Sequence, residues 1–325
     1  MKTNTQKRIW AIGALLLFLQ ISSVLAQRST SGLIPLTEMS AADRYKGEDG
    51  GLYGRGQNVP PATHLRDALA AAKKITPLGQ DGKPSTQGKI VLLSIGMSNT
   101  SMEFTNFKKK AEADLRKSSN VVLINGAQNG QGAELWIEQE GPWIELDKRL
   151  NESGISPSQV QAVWLKHASM RVRSYGEFPN APKKLQLFLT QIINKAKKKY
   201  PNLQIAYLGC RIYGGYSVTN QFEPIAYESV FADRWVILDQ INGSVDLNYI
   251  PAKGEVRAPV VLWGPYLWAD GVTPRKSDGM IWARGDIKDD GVHPAATGMD
   301  KVGNLLLNFF KTDQTAKSWF LSENR

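Results

Sequence analysis

The segment Lys89-Ile-Val-Leu-Leu-Ser-Ile-Gly96-Met-Ser98-Asn99 is a short, nearly continuous apolar run that ends at a glycine and small polar residues. A run of this length, apolar at successive positions, is typical of a strand buried on both faces, as in a parallel sheet. Because glycine permits a tight turn, we expect Ser98 to lie just beyond the carboxyl end of this strand.

Four further apolar runs follow, and amphipathic stretches with helical periodicity separate them. The predicted strands are 90–95, 121–125, 160–165, 203–208 and 259–263. The predicted helices between and after them are 102–117, 143–152, 182–200, 224–240 and 295–310. This alternation predicts an α/β domain with a doubly wound parallel sheet of about five strands, joined by right-handed crossovers. Its ligand site should lie beyond the carboxyl ends of the strands.

The N-terminal part of the chain has two sections of different character. Lys2, Lys7 and Arg8 precede an apolar run and small residues, which predicts a signal peptide at 1–26 and export to the periplasm or the exterior. The apolar run is too short to span a bilayer, so we expect no integral membrane segment after cleavage. Residues 27–88 are glycine-rich with one short helix at 63–74, and we expect an irregular extension wrapped on the domain at 89–325.

The composition narrows the choice of partners. The chain carries 40 Lys and Arg against 30 Asp and Glu, a formal net charge of +10, with one cysteine and three histidines. The densest basic run, 195–199, is interpreted as a solvated helix face rather than as a nucleic-acid site. A lone cysteine allows no disulfide within the chain, and the histidines show no metal-ligand spacing, so we expect neither metal nor cofactor.

The candidate catalytic residues lie at the two ends of the predicted domain. In Asp290-Gly-Val-His293-Pro, an acid precedes a histidine by three residues and can orient its ring. A serine hydroxyl needs such an oriented base to act as a nucleophile, and Ser98 is the candidate. Taken alone, Ser98 also suits a helix N-cap, and the closing motif also suits a turn before a helix. The flanking residues lack the second glycine of Gly-x-Ser-x-Gly, which disfavours the α/β-hydrolase arrangement.

Three blocks of this chain resemble those of the SGNH, or GDSL-type, hydrolases. They are Gly96-Met97-Ser98-Asn99, the glycine block at 125–132 and the closing block at 290–294, within a match that covers about 89–310. The resemblance implies a flavodoxin-like three-layer fold without a metal. It also implies that Ser98 is the nucleophile, His293 the general base and then acid, and Asp290 the carboxylate that orients it. Members of this family are esterases, lipases or carbohydrate deacetylases.

The predicted oxyanion hole departs from the family pattern. Members offer the backbone N–H of the serine, here Ser98, a glycine N–H from the second block, here Gly130 or Gly126, and an asparagine from a Gly-x-Asn-Asp block. The third block of this chain reads Trp164-Leu-Lys-His-Ala-Ser169 and has no asparagine. Loss of one donor costs about 100 to 1000-fold in turnover unless it is replaced. The candidate replacements are Lys166, His167 and Ser169 from this block and Asn129 from the second block.

Aromatic residues after the fourth and fifth strands suggest a substrate. Tyr213, Tyr266 and Trp268, with Arg211 and Asp270 nearby, are predicted to reach the ligand-binding edge, where indoles and phenols would stack on sugar rings. The alternative is that these aromatics pack long loops over the sheet. Arg211 is a candidate for binding a uronic or sulfated group.

The sequence thus predicts an exported serine esterase that removes an acyl group, most simply acetyl, from a carbohydrate through an acyl-enzyme. Two alternatives stay open: an inert glycan-binding protein on the same fold, and a lipid esterase. The acylated carbohydrate is the predicted partner, nucleic acid is not, and the sequence does not fix the oligomeric state.

Overall fold

The computed structural model describes residues 28–218 and 222–322 and contains a five-stranded, all-parallel sheet. The strands are β1 (Ile90–Gly96), β2 (Val121–Asn125), β3 (Val160–Lys166), β4 (Ile205–Leu208) and β5 (Val260–Trp263). Their order is β2-β1-β3-β4-β5, which is the order of flavodoxin-like folds. The α/β prediction with about five parallel strands is confirmed.

Helices flank this sheet. They are α1 (Ala62–Ala72), α2 (Ser98–Ala113), α3 (Ala133–Glu138), α4 (Gly141–Glu152), α5 (Asn180–Lys199), α6 (Ile225–Ile241), α7 (Ala296–Thr312) and α8 (Lys317–Phe320). The long helices agree with prediction to within about two residues at their starts, except α2, which begins four residues earlier than expected because only Met97 separates it from β1. The short helices α3 and α8 escaped prediction because four to six residues are too few to show a helical period.

The side of the sheet to which successive strands are added changes after β2. From β1 the chain crosses to β2 on one side, whereas β3, β4 and β5 follow on the other side of β1. Right-handed crossovers in opposite directions place α2 and α5 on opposite faces, where α2 packs against α7 and α5 against α6. The loops after β1 and β3 therefore diverge, and this point is where open α/β sheets bind ligands.

The N-terminal segment from residue 28 to α1 lies against the sheet domain. Its side chains Leu36 and Met39 are buried in the core. The carboxylate of Asp270 accepts hydrogen bonds from the hydroxyl of Thr30, from the backbone N–H and hydroxyl of Ser31 and from the backbone N–H of Gly32. Asp270 is thus the anchor of this segment.

The predicted signal peptide at 1–26 lies outside the described residues. Across the ranges 28–218 and 222–322, no helix combines the length and the apolar character that crossing a membrane requires. The described stretch before α1 contains turns and isolated bridges.

Replacement of Asp270 by alanine should detach the N-terminal segment. Because several hydrogen bonds to one buried carboxylate disappear, we expect the free energy of unfolding in urea to fall by about 2 to 4 kcal/mol. Asp81→Ala, at a side chain that is 63% exposed, is the matched control and should change stability by less than about 0.5 kcal/mol. Equal stability of the two variants would contradict the anchoring role.

Candidate active site

Ser98 is the first residue of α2 and lies immediately beyond the carboxyl end of β1. Its Oγ is 2.8 Å from Nε2 of His293. The N-cap position belongs to Met97, so the Ser98 hydroxyl is not used as a cap. The turn before it depends on Gly96, because a Cβ there would lie 2.1 Å from the carbonyl oxygen of Lys166.

His293 is oriented by Asp290, and together they form the second half of the site. Nδ1 of His293 is 2.7 Å from Oδ2 of Asp290. The other carboxylate oxygen, Oδ1, accepts the backbone N–H groups of Val292 at 2.8 Å and of His293 at 2.9 Å. The turn requires Gly291, whose φ is +70° and whose Cβ would lie 2.4 Å from the carbonyl oxygen of Tyr216. The closing motif is therefore both a turn and an acid–base pair.

The charge of Asp290 fixes the tautomer of the imidazole. Burial alone would raise the pKa of Asp290, but the N–H groups of His293 and Val292 and the His293 ring outweigh it and lower that pKa to about 2. An ionised carboxylate can only accept, so Nδ1 of His293 carries the proton. The lone pair of Nε2 then faces the hydroxyl of Ser98, which is the arrangement of a general base beside a nucleophile.

Asn99 connects the two halves of the site. Its Nδ2 donates to the carbonyl oxygen of Val292 at 3.0 Å. This bond attaches the loop that carries His293 to the first turn of α2, next to Ser98. The sequence block Gly-Met-Ser-Asn thus supplies both the hydroxyl and the group that positions its base.

A cavity of about 620 Å³ opens over Ser98 and His293. Part of its wall is apolar and comes from Met97, Met102, Met170, Phe222 and Val292. The polar lining comes from Asn99, Asn129, Gly130, Ser169 and Arg211, together with Lys166 and His167. The side chains of Ser98 and His293 are both partly exposed, so a small molecule in this space can reach them.

The glycine block contributes Gly130 and Asn129 to the cavity, whereas Gly126 lies away from it. A Cβ at Gly126 would lie 2.3 Å from Cδ1 of Leu146 and 2.6 Å from the carbonyl oxygen of Ser94, so this glycine serves close packing in the interior. Gly130 is exposed, has φ of +70° and lines the cavity with Ser98. Of the two glycines that the sequence left open, Gly130 lines the cavity over Ser98 and Gly126 does not.

Arg149 supports this loop and was not found by sequence reasoning. Its Nη1 donates to the carbonyl oxygens of Asn125 at 2.9 Å and Ala127 at 3.0 Å. The backbone N–H of Gln128 donates to the carbonyl oxygen of Gly96 at 3.0 Å, which joins the loop to the end of β1. An arginine on an amphipathic helix gives no sequence signal that distinguishes it from a solvated one.

Lys166 is not available as a free oxyanion donor. Its side chain is 3% exposed, and Nζ lies 2.6 Å and 2.5 Å from the two carboxylate oxygens of Glu103, which is fully buried. Burial lowers the pKa of Lys166 and raises that of Glu103, and the ion pair opposes both shifts. The prediction that Lys166 replaces the missing asparagine is corrected: its charge is paired inside the fold.

His167 is another candidate replacement from the third block. Its Nδ1 lies 3.1 Å from the backbone nitrogen and 3.3 Å from the carbonyl oxygen of Ala168. In the shorter contact the N–H donates to Nδ1, and with that bond the neutral ring carries its proton on Nε2. Burial lowers the pKa of His167 to about 4, so the ring is neutral at ordinary pH. Nε2 is buried and has no hydrogen-bond partner among the described residues, and the His167 residue contributes to the wall of the cavity over Ser98.

Four of the five predicted substrate-binding residues lie elsewhere. Tyr213 and Trp268 are fully buried, and Tyr266 is 7% exposed. Their hydroxyl and indole groups bond within the fold: Tyr213 to the carbonyl oxygen of Arg28, Tyr266 to the N–H of Leu36, and Trp268 to Glu223. Asp270 anchors the N-terminal segment. The prediction is therefore corrected for these four, and only Arg211 lines the cavity.

Glu134, at the start of α3, organises the loop after β3 and was also missed. It is fully buried, and its Oε1 accepts the backbone N–H groups of Met170 at 3.0 Å and Arg171 at 3.1 Å. This contact fixes the loop that carries His167 and Ser169. A single glutamate near a helix start is common in sequences and gives no separate signal.

Histidine and cysteine side chains are dispersed in the part of the chain that the structure describes. Nε2 of His64 lies 2.9 Å from the carbonyl oxygen of Val261 in β5, whereas His167 follows β3 and His293 precedes α7. Cys210 is a buried free thiol whose pKa burial raises to about 11. Between residues 28 and 322, residues 219–221 excepted, no cluster of three His, Cys, Asp or Glu is arranged to bind a metal ion.

Comparisons with known proteins give similarity at the level of structures alone. No family model matches the chain, and no curated protein matches it. A Streptococcus pneumonia protein described as "a putative platelet activating factor" has 13% identity and a TM-score of 0.38, over 76% of this chain and 94% of that one. A protein of Arabidopsis thaliana has 14% identity and a TM-score of 0.36, over 63% of this chain and 65% of that one.

The buried pair between Lys166 and Glu103 predicts a specific stability pattern. Lys166→Met should lower the free energy of unfolding by about 3 to 5 kcal/mol, because it leaves the Glu103 carboxyl group buried without its partner. The double variant Lys166→Met/Glu103→Met should recover most of that loss. Chemical denaturation checks both, and additive losses in the double variant would show that the two groups act independently.

Proposed function

We propose that this protein is a serine esterase, a divergent member of the SGNH hydrolases that works through Ser98, His293 and Asp290. The observation that carries the proposal is the chain of two hydrogen bonds, 2.8 Å from Ser98 to His293 and 2.7 Å from His293 to Asp290. It lies at the switch point of the sheet and opens onto a cavity. An inert glycan-binding protein would have no need of this alignment.

The residues suggest the following reaction. Oγ of Ser98 attacks the carbonyl carbon of the ester while Nε2 of His293 takes its proton. The tetrahedral intermediate collapses, the bond to the alcohol oxygen breaks, and His293 returns the proton to that oxygen. Water then attacks the acyl-enzyme with His293 again as base, which releases the acid and restores Ser98. Asp290 stays ionised throughout and stabilises the imidazolium.

Three donors are proposed to stabilise the oxyanion. The backbone N–H of Ser98 is in the first turn of α2, where N–H groups lack partners within the helix and the helix dipole favours negative charge. The backbone N–H of Gly130 and the Nε2–H of His167 complete the set. Burial lowers the pKa of His167 to about 4, so the ring is neutral at the working pH and donates its one N–H as a hydrogen bond.

A carbohydrate acyl ester, with acetyl as the acyl group, is the proposed substrate. The aromatic residues that suggested a sugar are buried, so this assignment rests on the family resemblance and on polar groups at the cavity such as Asn129 and Ser169. The methionines and Phe222 of the cavity wall favour a second candidate, an esterase of longer acyl chains. Export of the protein, inferred from residues 1–26, is part of the proposal.

Removal of the nucleophile should abolish ester hydrolysis. We expect Ser98→Ala to lower kcat for 4-nitrophenyl acetate by at least about 10⁴-fold while circular dichroism stays unchanged, because the remaining groups cannot form an acyl-enzyme. Ser101→Ala, one turn further along α2, is the matched control and should retain activity. Retained hydrolysis in Ser98→Ala would refute the mechanism.

Acyl-chain preference separates the two substrate candidates. An acetyl esterase should hydrolyse 4-nitrophenyl acetate and acetylated xylo-oligosaccharides with higher kcat/KM than 4-nitrophenyl octanoate. The reverse order would favour the lipid esterase.

The third oxyanion donor can be tested at His167. His167→Phe should lower kcat by about 100 to 1000-fold with a KM change below about threefold, because the lost donor acts mainly in the transition state. His167→Gln places an amide N–H near the position of Nε2 and should recover part of the rate. If His167→Phe keeps the full kcat, the histidine has only a packing role.

A further inference from the structure

A second cavity adjoins the one over Ser98. It measures about 400 Å³, and Ala168, Ser169 and Arg211 line both. These three residues form a shared wall, or junction, between the two spaces. The guanidinium of Arg211 therefore borders the same cavity as Ser98.

The guanidinium of Arg211 has an unusual environment for a half-buried charge. It lies over the ring of Phe222, with Cζ 4.6 Å from the ring centroid. No carboxylate of the described residues comes within the ion-pairing distance of 4.0 Å from it. Burial, the larger influence, lowers the pKa of Arg211, and the charge of Glu223 only partly opposes it. A desolvated guanidinium with unused donors is a site for an anion.

Three carboxylates line the second cavity, Glu177, Glu223 and Glu228, and the last two are engaged with other groups. Oε1 of Glu223 accepts the N–H of Gly214 and the indole N–H of Trp268, both at 2.9 Å, and Oε2 accepts the N–H of Tyr227 at 3.2 Å. Burial raises the pKa of Glu223 to about 7, so it is only partly charged at neutral pH. Glu228 pairs with Lys46 at 2.8 Å.

Lys166, which also lines the cavity over Ser98, is paired with Glu103, as Lys46 is with Glu228. Of the two Lys and Arg side chains that line the cavity over Ser98, Arg211 is therefore the one without a carboxylate partner among the described residues. Its fork of five N–H donors matches a planar carboxylate in two parallel hydrogen bonds and also accommodates a sulfate group.

We propose that Arg211 binds an anionic substituent of the substrate, a carboxylate or a sulfate ester, so that the protein acts on acylated acidic saccharides. The assignment of this anion site to a substrate rests on the proposed esterase function. The binding of the anion itself does not, and the two can be tested separately.

Binding is measured on Ser98→Ala protein, which cannot turn the ligand over. Calorimetric titration uses three probes: trigalacturonate, galactose 6-sulfate and neutral galactotriose. We expect at least one anionic probe to bind at least tenfold more tightly than the neutral one, and Ser98→Ala/Arg211→Gln to lose that preference. The matched control, Ser98→Ala/Arg66→Gln, removes an exposed arginine of α1 and should keep it. Which anion binds identifies carboxylate or sulfate, and equal binding of all probes, or a preference that survives Arg211→Gln, would overturn the proposal.

Activity separates this inference from the proposed function. In the protein with Ser98 intact, the ratio of kcat/KM for acetylated trigalacturonate to that for acetylated galactotriose should be at least ten if the anion is a carboxylate. Arg211→Gln should bring that ratio close to one. If the anion binds through Arg211 but neither ester is hydrolysed, the esterase function fails and the anion site stands. If both esters are hydrolysed at a ratio that Arg211→Gln leaves unchanged, and galactose 6-sulfate shows no Arg211-dependent binding in the titration, the anion site is wrong and the esterase function stands.

Discussion

The ion pair between Lys166 and Glu103 fixes the start of α2 against the end of β3, and the position of Ser98 depends on it. The carbonyl oxygen of Lys166 also accepts the hydroxyl of Thr100 at 2.7 Å, so the same residue binds α2 through its main chain and its side chain. Gly96 allows this close approach because it has no Cβ. A buried charge pair stabilises little against an apolar pair, but it specifies one arrangement of the helix because a shifted helix would leave two buried charges unpaired.

The second constraint is the turn at the other end of the chain. Ser98 and His293 are 195 residues apart in sequence, and Asp290 brings them into register by binding the backbone of its own turn with one oxygen and the imidazole with the other. Asn99 then binds that turn to α2. The hydrogen bonds of Asp290 to its own turn and to the imidazole therefore position the base, although the Asp290 side chain is 47% exposed.

The sheet, its strands and the serine, histidine and aspartate of the site were predictable because each follows from short-range pattern. Apolar runs specify buried strands, and a residue just after such a strand must lie at its carboxyl end. The partner of Lys166 was not predictable. Glu103 lies 63 residues away in sequence, on a helix that also carries Glu112, and the sequence does not show which of the two carboxylates is buried. The burial of Tyr213 and Tyr266 depends on the N-terminal segment, which covers both side chains and forms hydrogen bonds with their hydroxyls. Position after a strand places a residue at the ligand edge but does not decide whether its side chain turns toward the cavity or the core.

Covalent labelling measures the activation of Ser98 by His293 directly, and the proposed mechanism depends on this activation. Protein is incubated with a fluorophosphonate, and the modified peptide is located by mass spectrometry. We expect one adduct per chain, on Ser98, in the wild type and almost none in His293→Ala, because an unassisted serine hydroxyl is a weak nucleophile. An unlabelled wild type, or equal labelling with and without His293, would contradict the account.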